Sequence, residues 1–250
     1  MKWITSLATA ETPNAQRPTS KLEKVPPSDS CRRSETAAIR MRLRVQWFAV
    51  NGFQVQSNRM QLSEKFEEAL IYATRAHGNQ TRKKTGIPFV AHILGVSAIA
   101  LEYGANEIEA IGALLHDTVE DCGGAKRLRD IREKFGDDVA KIVDGCTDTY
   151  ETPKPPWLER KRAYIEHLKD SDSSTRLVSA SDKLHNTRAI LAELRRHGLE
   201  VFERFAGKKD GTVWYYRTLV AAFREHGDHS DLIDELDRVV SEIEKFVREH

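Results

Sequence analysis

From residue 61 onward, apolar residues recur three or four positions apart, which is the spacing of amphipathic helices. The apolar positions of the first predicted helix are Leu62, Phe66, Ala69, Leu70, Ala73 and Ala76. Ser63 precedes this stretch, and serine is a favoured N-cap residue because its hydroxyl accepts a hydrogen bond from a free backbone amide. A second helix is predicted over residues 91–104.

The next stretch contains a long helix followed by two shorter ones. The long helix is predicted over residues 106–121, where Asn106 and Glu109 have the spacing of a capping box. Residues 128–136 and 137–148 are predicted as short helices, separated because glycine interrupts the pattern at position 136.

A Pro-rich loop at residues 149–157 separates these helices from the rest of the chain. Two helices are predicted after it, over 158–170 and 174–198, and residues 231–249 form an amphipathic tail. We expect the tail to close the core. The alternative is that it serves as a partner surface, in which case the protein can form a homo-oligomer. Because the sequence shows no strand series and no internal repeat, residues 61–250 are predicted to be one all-α bundle of about eight or nine helices.

The first 60 residues differ from this pattern. Residues 1–36 are rich in Ser, Thr and Pro, a composition typical of disorder. An Arg-rich, acid-poor leader is also typical of organellar transit peptides. The alternative is a start codon assigned too early, since Met60 directly precedes the first helix. The lack of an amphipathic helix in the leader favours this alternative.

Within the extension, residues 44–56 resemble a β-hairpin around an Asn-Gly pair.

The overall charge of +1 conceals an asymmetry. Residues 1–60 contain ten Lys/Arg against four Asp/Glu, whereas residues 61–250 contain 29 against 34. A net-acidic domain is a poor match to nucleic acid, because neutralisation of phosphates by basic side chains drives such binding. No apolar stretch approaches the ~20 residues of a membrane span. Three cysteines without CxxC spacing indicate a reducing compartment, and we expect a cytoplasmic protein.

Candidate chemistry is concentrated in the segment ALLHDTVEDCGG, which puts His116 and Asp117 directly after an apolar run. His92 and Asp182 also lie in apolar helical contexts, where an unpaired polar group would be destabilising. Two imidazoles and two carboxylates suit a divalent ion such as Mn²⁺, Fe²⁺ or Zn²⁺. Four protein ligands leave room for water only above four-coordination, which favours Mn²⁺ over tetrahedral Zn²⁺.

Glu120 and Asp121 follow His116 and Asp117 at a spacing of four residues. Such carboxylates can orient or deprotonate a water at a metal site. The alternative is that they merely end the helix. Because carboxylates at a helix C-terminus oppose the helix dipole, that alternative carries a cost, and we favour the catalytic interpretation.

The ordered motifs AHGNQTRKKTGIPFVAH, ALLHDTVED, VDGCTD and ASDKLHNTR resemble the hydrolase domain of the RelA/SpoT homologues, within the HD phosphohydrolase superfamily. The resemblance covers about residues 62–220, and it is strongest to the small stand-alone alarmone hydrolases. It implies one Mn²⁺ ion and assigns roles to seven residues. The implied metal ligands are His92, His116, Asp117 and Asp182, the acid pair is Glu120 and Asp121, and the substrate-contacting amide is Asn186.

The activity that the resemblance implies is removal of pyrophosphate from the 3′ position of guanosine tetra- or pentaphosphate, a small-molecule nucleotide. Roughly 64 residues follow Asn186, too few for a synthetase domain, so we expect hydrolysis without synthesis. Two alternatives stay open. One is a phosphohydrolase that acts on another nucleotide, for example by removing the 2′-phosphate of NADPH. The other is an HD module that binds a nucleotide without turnover.

Several residues are candidates for substrate contacts. The loop QTRKKTG supplies Arg82, Lys83 and Lys84 close to His92, where they can contact phosphate or guanine or simply face solvent. The resemblance favours Tyr216 as an aromatic contact for the base.

Neighbouring polar and aromatic residues are expected to play structural roles. His185 is expected to face away from the metal site, and Trp214 and Tyr215 are expected to pack in the core. Arg160, Lys161 and Arg162 can project toward the phosphates of a substrate, but we favour salt bridges with Glu159 and Glu166 on the helix surface.

Overall fold

The computed structural model describes residues 61–151 and 153–250, and within them every regular element of secondary structure is a helix. One isolated β-bridge, between Thr81 and Pro88, is the only extended pairing in these residues. The helices are α1 (Glu64–His77), α2 (Val90–Glu102), α3 (Glu107–Leu115), α4 (Thr118–Cys122), α5 (Gly124–Phe135), α6 (Asp137–Cys146), α7 (Trp157–Asp170), α8 (Ser173–His197), a 3-10 helix (Gly198–Arg204), α9 (Lys208–Arg224) and α10 (Ser230–Glu249). The prediction of an all-α bundle is confirmed. The predicted extension over residues 1–60, including the hairpin at 44–56, lies outside the described residues.

Two predicted helix starts are confirmed by their hydrogen bonds. The Ser63 hydroxyl accepts from the Lys65 amide at 3.2 Å. At the start of α3, Asn106 Oδ1 accepts from the Glu109 amide at 3.1 Å while the Glu109 carboxylate accepts from the Asn106 amide at 2.7 Å. Each cap supplies acceptors to amides that have no partner within the helix, so the sequence alone determines where these helices begin.

The prediction of one continuous helix over 106–121 is wrong, because the chain breaks at His116 and Asp117. His116 Nδ1 lies 2.8 Å from the Ala113 carbonyl oxygen, and Thr118 Oγ1 donates to the Leu115 carbonyl at 2.7 Å. These side chains bind carbonyl oxygens that would accept backbone amides in a continuous helix. Such local hydrogen bonds compete with the backbone hydrogen bonds of the helix.

The break changes the electrostatic setting of the acid pair. Glu120 and Asp121 lie in the first turn of the short helix α4 and not at the end of a long one. Carboxylates near a helix N-terminus are favourable, so the dipole cost that the sequence pattern suggested does not exist.

The buried apolar residues form two clusters. One is built mainly by α7, α8, α9 and α10, and the other by α1, α3, α5 and α6, while α2, α3 and α6 contribute to both. Helix α8 contacts α2, α3, α6 and α10 and therefore lies at the centre of the bundle. Gly112 allows α3 to approach α6 closely, because a Cβ atom at this position would lie 2.7 Å from Ile142 Cγ2.

The tail helix α10 closes the first cluster, as predicted. Its buried stripe includes Leu232, Leu236 and Val240, which pack in the same cluster as the apolar face of α8. Ion pairs between Arg188 and Glu235 at 2.9 Å, and between Arg195 and Glu242 at 2.5 Å, join the exposed edges of α8 and α10. Exposed pairs of this kind contribute little, so burial of the apolar stripe holds the helix in place.

None of the helices in the described part of the chain is both long enough and apolar enough to cross a membrane.

Replacing Leu236 by alanine should lower the free energy of unfolding by about 2–5 kcal/mol, because the side chain is fully buried and its removal leaves a cavity. Leu158→Ala is the matched control, since Leu158 is 44% exposed, and it should change stability by less than about 1 kcal/mol. Urea unfolding followed by circular dichroism measures both values. Equal losses in the two variants would contradict the assignment of α10 to the core.

Candidate metal centre and its cavity

Four side chains from three parts of the bundle meet at one point. His92 lies in the first turn of α2, His116 and Asp117 follow α3, and Asp182 lies in the middle of α8. Ligand atoms of His92, His116 and Asp117 all lie within 4.8 Å of one another. Asp182 Oδ1 lies 3.3 Å from His92 Nε2 and 3.7 Å from His116 Nε2. The structure thus brings together the four residues that were predicted to hold a metal.

The two imidazoles direct their Nε2 atoms toward the carboxylates. Asp117 Oδ2 lies 3.3 Å from His92 Nε2 and 3.1 Å from His116 Nε2. The Nδ1 atom of His116 faces the Ala113 carbonyl oxygen, a pure acceptor, so Nδ1 carries a proton and Nε2 is the nitrogen at which a cation would replace a proton. His116 Nε2 is buried and has no hydrogen-bond partner despite its closeness to Asp117.

This donor set fits a divalent cation. A buried imidazole nitrogen without a hydrogen-bond partner is costly unless something binds it. Two imidazole nitrogens and two carboxylate oxygens form a mixed site of the kind that binds Mn²⁺, Fe²⁺ or Zn²⁺. The hydrogen bond at His116 Nδ1 also orients the ring, as the outer contacts of metal-binding histidines usually do.

The carboxylates dominate the electrostatics of this cluster. Burial lowers the pKa of His116, but the neighbouring Asp117 and Asp182 carboxylates outweigh burial and hold that pKa well above its ordinary value. Burial raises the pKa of Asp117, but His116 and His92 reverse this effect and the pKa falls well below its usual range. The pKa of Asp182 is likewise lowered, against burial, mainly by Lys183. Both carboxylates are therefore ionised, and the cluster attracts positive charge.

A cavity adjoins the metal centre: His92, Asp117 and Asp182 line it, and so does the acid pair predicted for catalysis. Glu120 Oε1 accepts from Lys154 Nζ at 2.6 Å, and its other oxygen accepts from the Asp148 amide at 3.2 Å. Asp121 Oδ2 accepts from Gln80 Nε2 at 2.8 Å. These bonds hold each carboxylate in a defined orientation, while its catalytic role stays a prediction.

The basic loop and Asn186 are joined to the metal centre by a chain of hydrogen bonds. Arg82 Nη2 donates to Asn186 Oδ1 at 2.7 Å, and Asn186 Nδ2 donates to Asp182 Oδ1 at 2.6 Å. Arg82 and Lys83 line the cavity. Lys84 is exposed at a turn with a φ of 58° and is not among the lining residues.

For Arg160 and Lys161, at the start of α7, the favoured prediction of local salt bridges is wrong. Arg160 and Lys161 do not pair with Glu159 or Glu166 but with Asp148, whose side chain is only 6% exposed. Burial lowers the pKa of Lys161, and the Asp148 carboxylate opposes that effect only in part. Both cations face the cavity, so they add positive charge to it.

Lys183 is a further cavity residue that sequence reasoning did not select. Its ammonium group lies 2.5 Å from Asp182 Oδ2 and 4.9 Å from the centre of the Tyr164 ring. The place of Lys183 directly after the candidate ligand Asp182 could have indicated a role in the site, but a lysine next to an aspartate is common on helix surfaces. Only the burial of α8 brings this charge into the site.

Aromatic side chains form another wall of the cavity, which has a volume of about 550 Å³. Tyr216 lines it, and burial raises the pKa of its hydroxyl to about 12, so the phenol is neutral. Tyr215 is buried in the core and Trp214 packs against the core, as expected from the sequence. Trp157 packs over Gly207, where a Cβ atom would lie 2.6 Å from the indole.

The expectation that His185 faces away from the metal site is wrong. Its Nδ1 lies 3.0 Å from Nδ1 of His92, and the two ring centres are 4.8 Å apart. Burial, followed by the neighbouring His92 ring and the Arg82 guanidinium, lowers the pKa of His185 to about 4. The ring is therefore neutral at pH 7.

The sequence pattern of the HD domain matches residues 69–213, more than half of the chain. The chain belongs to the HD-domain family. The matched range includes all four candidate metal ligands and the acid pair. Tyr216 and helix α10 lie beyond it.

Individual relatives are consistent with this assignment. The chain is 40% identical over 126 residues to the human guanosine-3′,5′-bis(diphosphate) 3′-pyrophosphohydrolase MESH1, covering 49% of this chain and 68% of that protein. It is 38% identical to the zebrafish (Danio rerio) protein of the same name over 126 residues, with 49% and 67% of the two chains covered.

A solved structure is also similar. It is described as a metazoan orthologue of SpoT that hydrolyses ppGpp, and it matches with a TM-score of 0.59 and 31% identity over 71% of this chain and 94% of that chain. The resemblance inferred from the motifs is thereby confirmed at the level of the family.

We predict that Asp148→Asn destabilises the HD domain by about 2–3 kcal/mol. The substitution leaves Arg160 and Lys161 without their counter-ion in a largely buried position, and fully buried broken pairs cost ~3–5 kcal/mol. Glu166→Gln is the matched control, because its pair with Lys169 is exposed and should contribute less than about 1 kcal/mol. Urea unfolding at pH 7 measures both. An Asp148→Asn variant as stable as the control would show that the pair is solvated.

Proposed function

We propose that this protein hydrolyses guanosine 3′,5′-bis(diphosphate) to GDP and pyrophosphate in a metal-dependent reaction. One observation carries the proposal: two imidazoles and two carboxylates meet beside a cavity into which basic side chains also project. The MESH1 proteins, which belong to the same family, are named for this reaction. A nucleotide with two diphosphate groups matches a cavity that combines a cation site with basic and aromatic walls.

The residues proposed to hold the metal are His92, His116, Asp117 and Asp182. The ion proposed is Mn²⁺, because a mixed set of two nitrogens and two oxygens suits it and leaves positions for water and substrate. When bound, a divalent ion supplies Lewis acidity, which makes water a stronger acid and offsets the negative charge of the phosphates.

The acid pair is proposed to act on the attacking water. The water oxygen bonds to the phosphorus next to the 3′ oxygen, the bond between that phosphorus and the 3′ oxygen breaks, and a proton passes to the ribose oxygen. Glu120 and Asp121 line the cavity as acceptors that can orient the water and take its proton. Lys154 and Gln80 hold these carboxylates in place.

The positive side chains are proposed to bind the phosphates. Arg82 and Lys83 enter the cavity from the loop before α2, and Lys161 and Lys183 enter it from α7 and α8. Oriented cations of this kind stabilise charge that develops during phosphate transfer. They also explain how a net-acidic domain attracts a polyanion, because only the local field at the cavity needs to be positive.

The remaining predicted contacts concern the nucleoside. Asn186 bonds to Asp182 and Arg82 and is proposed to contact the ribose or a phosphate oxygen. Tyr216 is proposed to contact the base, because it lines the same cavity. Lys84 would act only from the rim, since its side chain is exposed and lies outside the lining.

The activity test uses the purified full chain with MnCl₂ and offers guanosine 3′,5′-bis(diphosphate) and NADPH in parallel, with products separated by ion-exchange chromatography. We expect GDP and pyrophosphate from the first substrate. His116→Ala and Glu120→Gln should each lower the rate by at least about 100-fold, because the first removes a proposed metal ligand and the second a group proposed to act on the attacking water. His167→Ala, at an exposed position of α7, is the matched control and should be fully active.

The other results distinguish the alternatives. Release of orthophosphate from NADPH at a comparable rate would assign a broader nucleotide phosphatase. No turnover of either substrate by a protein that binds both the metal and the nucleotide, together with unchanged binding by Glu120→Gln, would indicate a binding module.

Metal binding should also be visible without substrate. At a Mn²⁺ concentration about 100 times the Kd, the metal should stabilise the fold by ~2.7 kcal/mol, which corresponds to a rise in Tm of roughly 5–10 °C for a domain of this size. His116→Ala should abolish most of the rise, whereas His167→Ala should retain it. A rise that survives in His116→Ala would place the metal elsewhere. Differential scanning fluorimetry measures the shift.

A further inference from the structure

We infer that His185 is a positioning residue for the metal centre. Its ring accepts a hydrogen bond from the ring of His92. The His185 ring can reach His92 because residue 95 is a glycine, which leaves space for it. This inference rests on the proposed metal site and deepens it. It concerns two residues that are not among the predicted ligands, acids or substrate contacts. His185 lies on α8, three residues after Asp182, and Gly95 lies on α2, three residues after His92.

The contact between the two imidazoles is direct. Nδ1 of His185 lies 3.0 Å from Nδ1 of His92, and the ring planes are inclined by 61°. At this distance one nitrogen donates and the other accepts. The opposite nitrogen of His92, Nε2, is the one that faces Asp117 and Asp182, each at 3.3 Å.

The direction of the hydrogen bond follows from the metal site. A cation can bind His92 Nε2 only through a lone pair, so the ring proton of His92 must lie on Nδ1. His92 Nδ1 then donates, and His185 Nδ1 accepts. In this tautomer His185 does for His92 what the Ala113 carbonyl does for His116, because each acceptor fixes the tautomer and the rotation of one ligand ring.

The surface of α2 is shaped to admit this ring. A Cβ atom built on Gly95 would lie 2.3 Å from Cδ2 and 2.4 Å from Nε2 of His185. These separations are far below van der Waals contact, so any side chain at position 95 displaces the imidazole. Because His92 and Gly95 are one turn apart on the same face of α2, the missing side chain lies beside the ligand that His185 supports.

A purely space-filling histidine would not require this arrangement. Nonspecific packing does not depend on which ring atom faces His92, and an alanine together with a larger residue at position 95 could fill the same volume. The alignment of two Nδ1 atoms, together with a glycine that makes room for the ring, indicates a polar function. The functional consequence is tighter metal binding, and the loss of such outer contacts typically weakens metal affinity by ~10–100-fold.

The test measures Mn²⁺ affinity by isothermal titration calorimetry on the full chain after removal of metal with EDTA. His185→Ala and Gly95→Ala should each raise the Kd by roughly 10–100-fold. The double variant should be no weaker than the weaker single variant, because both substitutions remove the same contact. His185→Gln should retain affinity within a few fold of the unmodified chain, since its amide oxygen can accept from His92. His167→Ala is the matched control.

Each remaining outcome overturns a defined part. An unchanged Kd in His185→Ala, additive losses in the double variant, or equal losses in His185→Gln and His185→Ala would overturn the inference while leaving the metal site intact. Absence of Mn²⁺ binding by the unmodified chain would refute the metal site, and the inference with it. Circular dichroism of the metal-free variants separates folding from binding, and if His185→Ala does not fold, His185→Gln and Gly95→Ala carry the test.

Discussion

The structure depends on how two ionised carboxylates are accommodated next to buried imidazoles. Asp182 is buried and Asp117 is partly buried, and a charge in such a position is costly unless opposite charge or hydrogen bonds surround it. The protein meets this requirement with two imidazoles, with the ammonium group of Lys183 and with the amide of Asn186. Around this point the apolar clusters provide rigidity, and the proposed cation would add further positive charge beside the two carboxylates. The same arrangement that makes the site costly without metal makes it suitable for binding one.

Helix α8 is the element that makes this accommodation possible. It crosses the centre of the bundle and carries Asp182, Lys183, His185 and Asn186 within two turns. Because the helix is held by contacts with α2, α3, α6 and α10, these polar groups have fixed positions relative to His92 and His116. The apolar core thus determines the precision of the site. A catalytic or binding constellation built on packed helices is held more exactly than one built on loops.

The charges around the cavity are arranged in a graded way. At the metal centre, negative charge dominates and holds the pKa of His116 above its ordinary value, against the effect of burial. Further out, Lys161 and Arg160 exceed their single partner Asp148, and the loop before α2 adds Arg82 and Lys83. The proposed cation would meet its ligands at the centre, while the proposed anionic substrate would meet positive groups at the periphery. This separation suits a phosphate ester whose reacting end must meet a metal.

Local sequence determined much of this protein: the all-α class, the starts of α1 and α3 at Ser63 and Asn106, and the candidate ligands recognised by motif. These features depend on neighbouring residues or on residue types at short spacing. Tertiary structure alone decided three others. Arg160 and Lys161 pair with Asp148 instead of local glutamates, because burial at the cavity overrides spacing on a helix surface. The helix after Asn106 breaks at His116, because side chains there take carbonyl groups from the helical ladder. His185 meets His92 across 93 positions of sequence, a contact that no local pattern can specify because it depends on where α8 packs against α2.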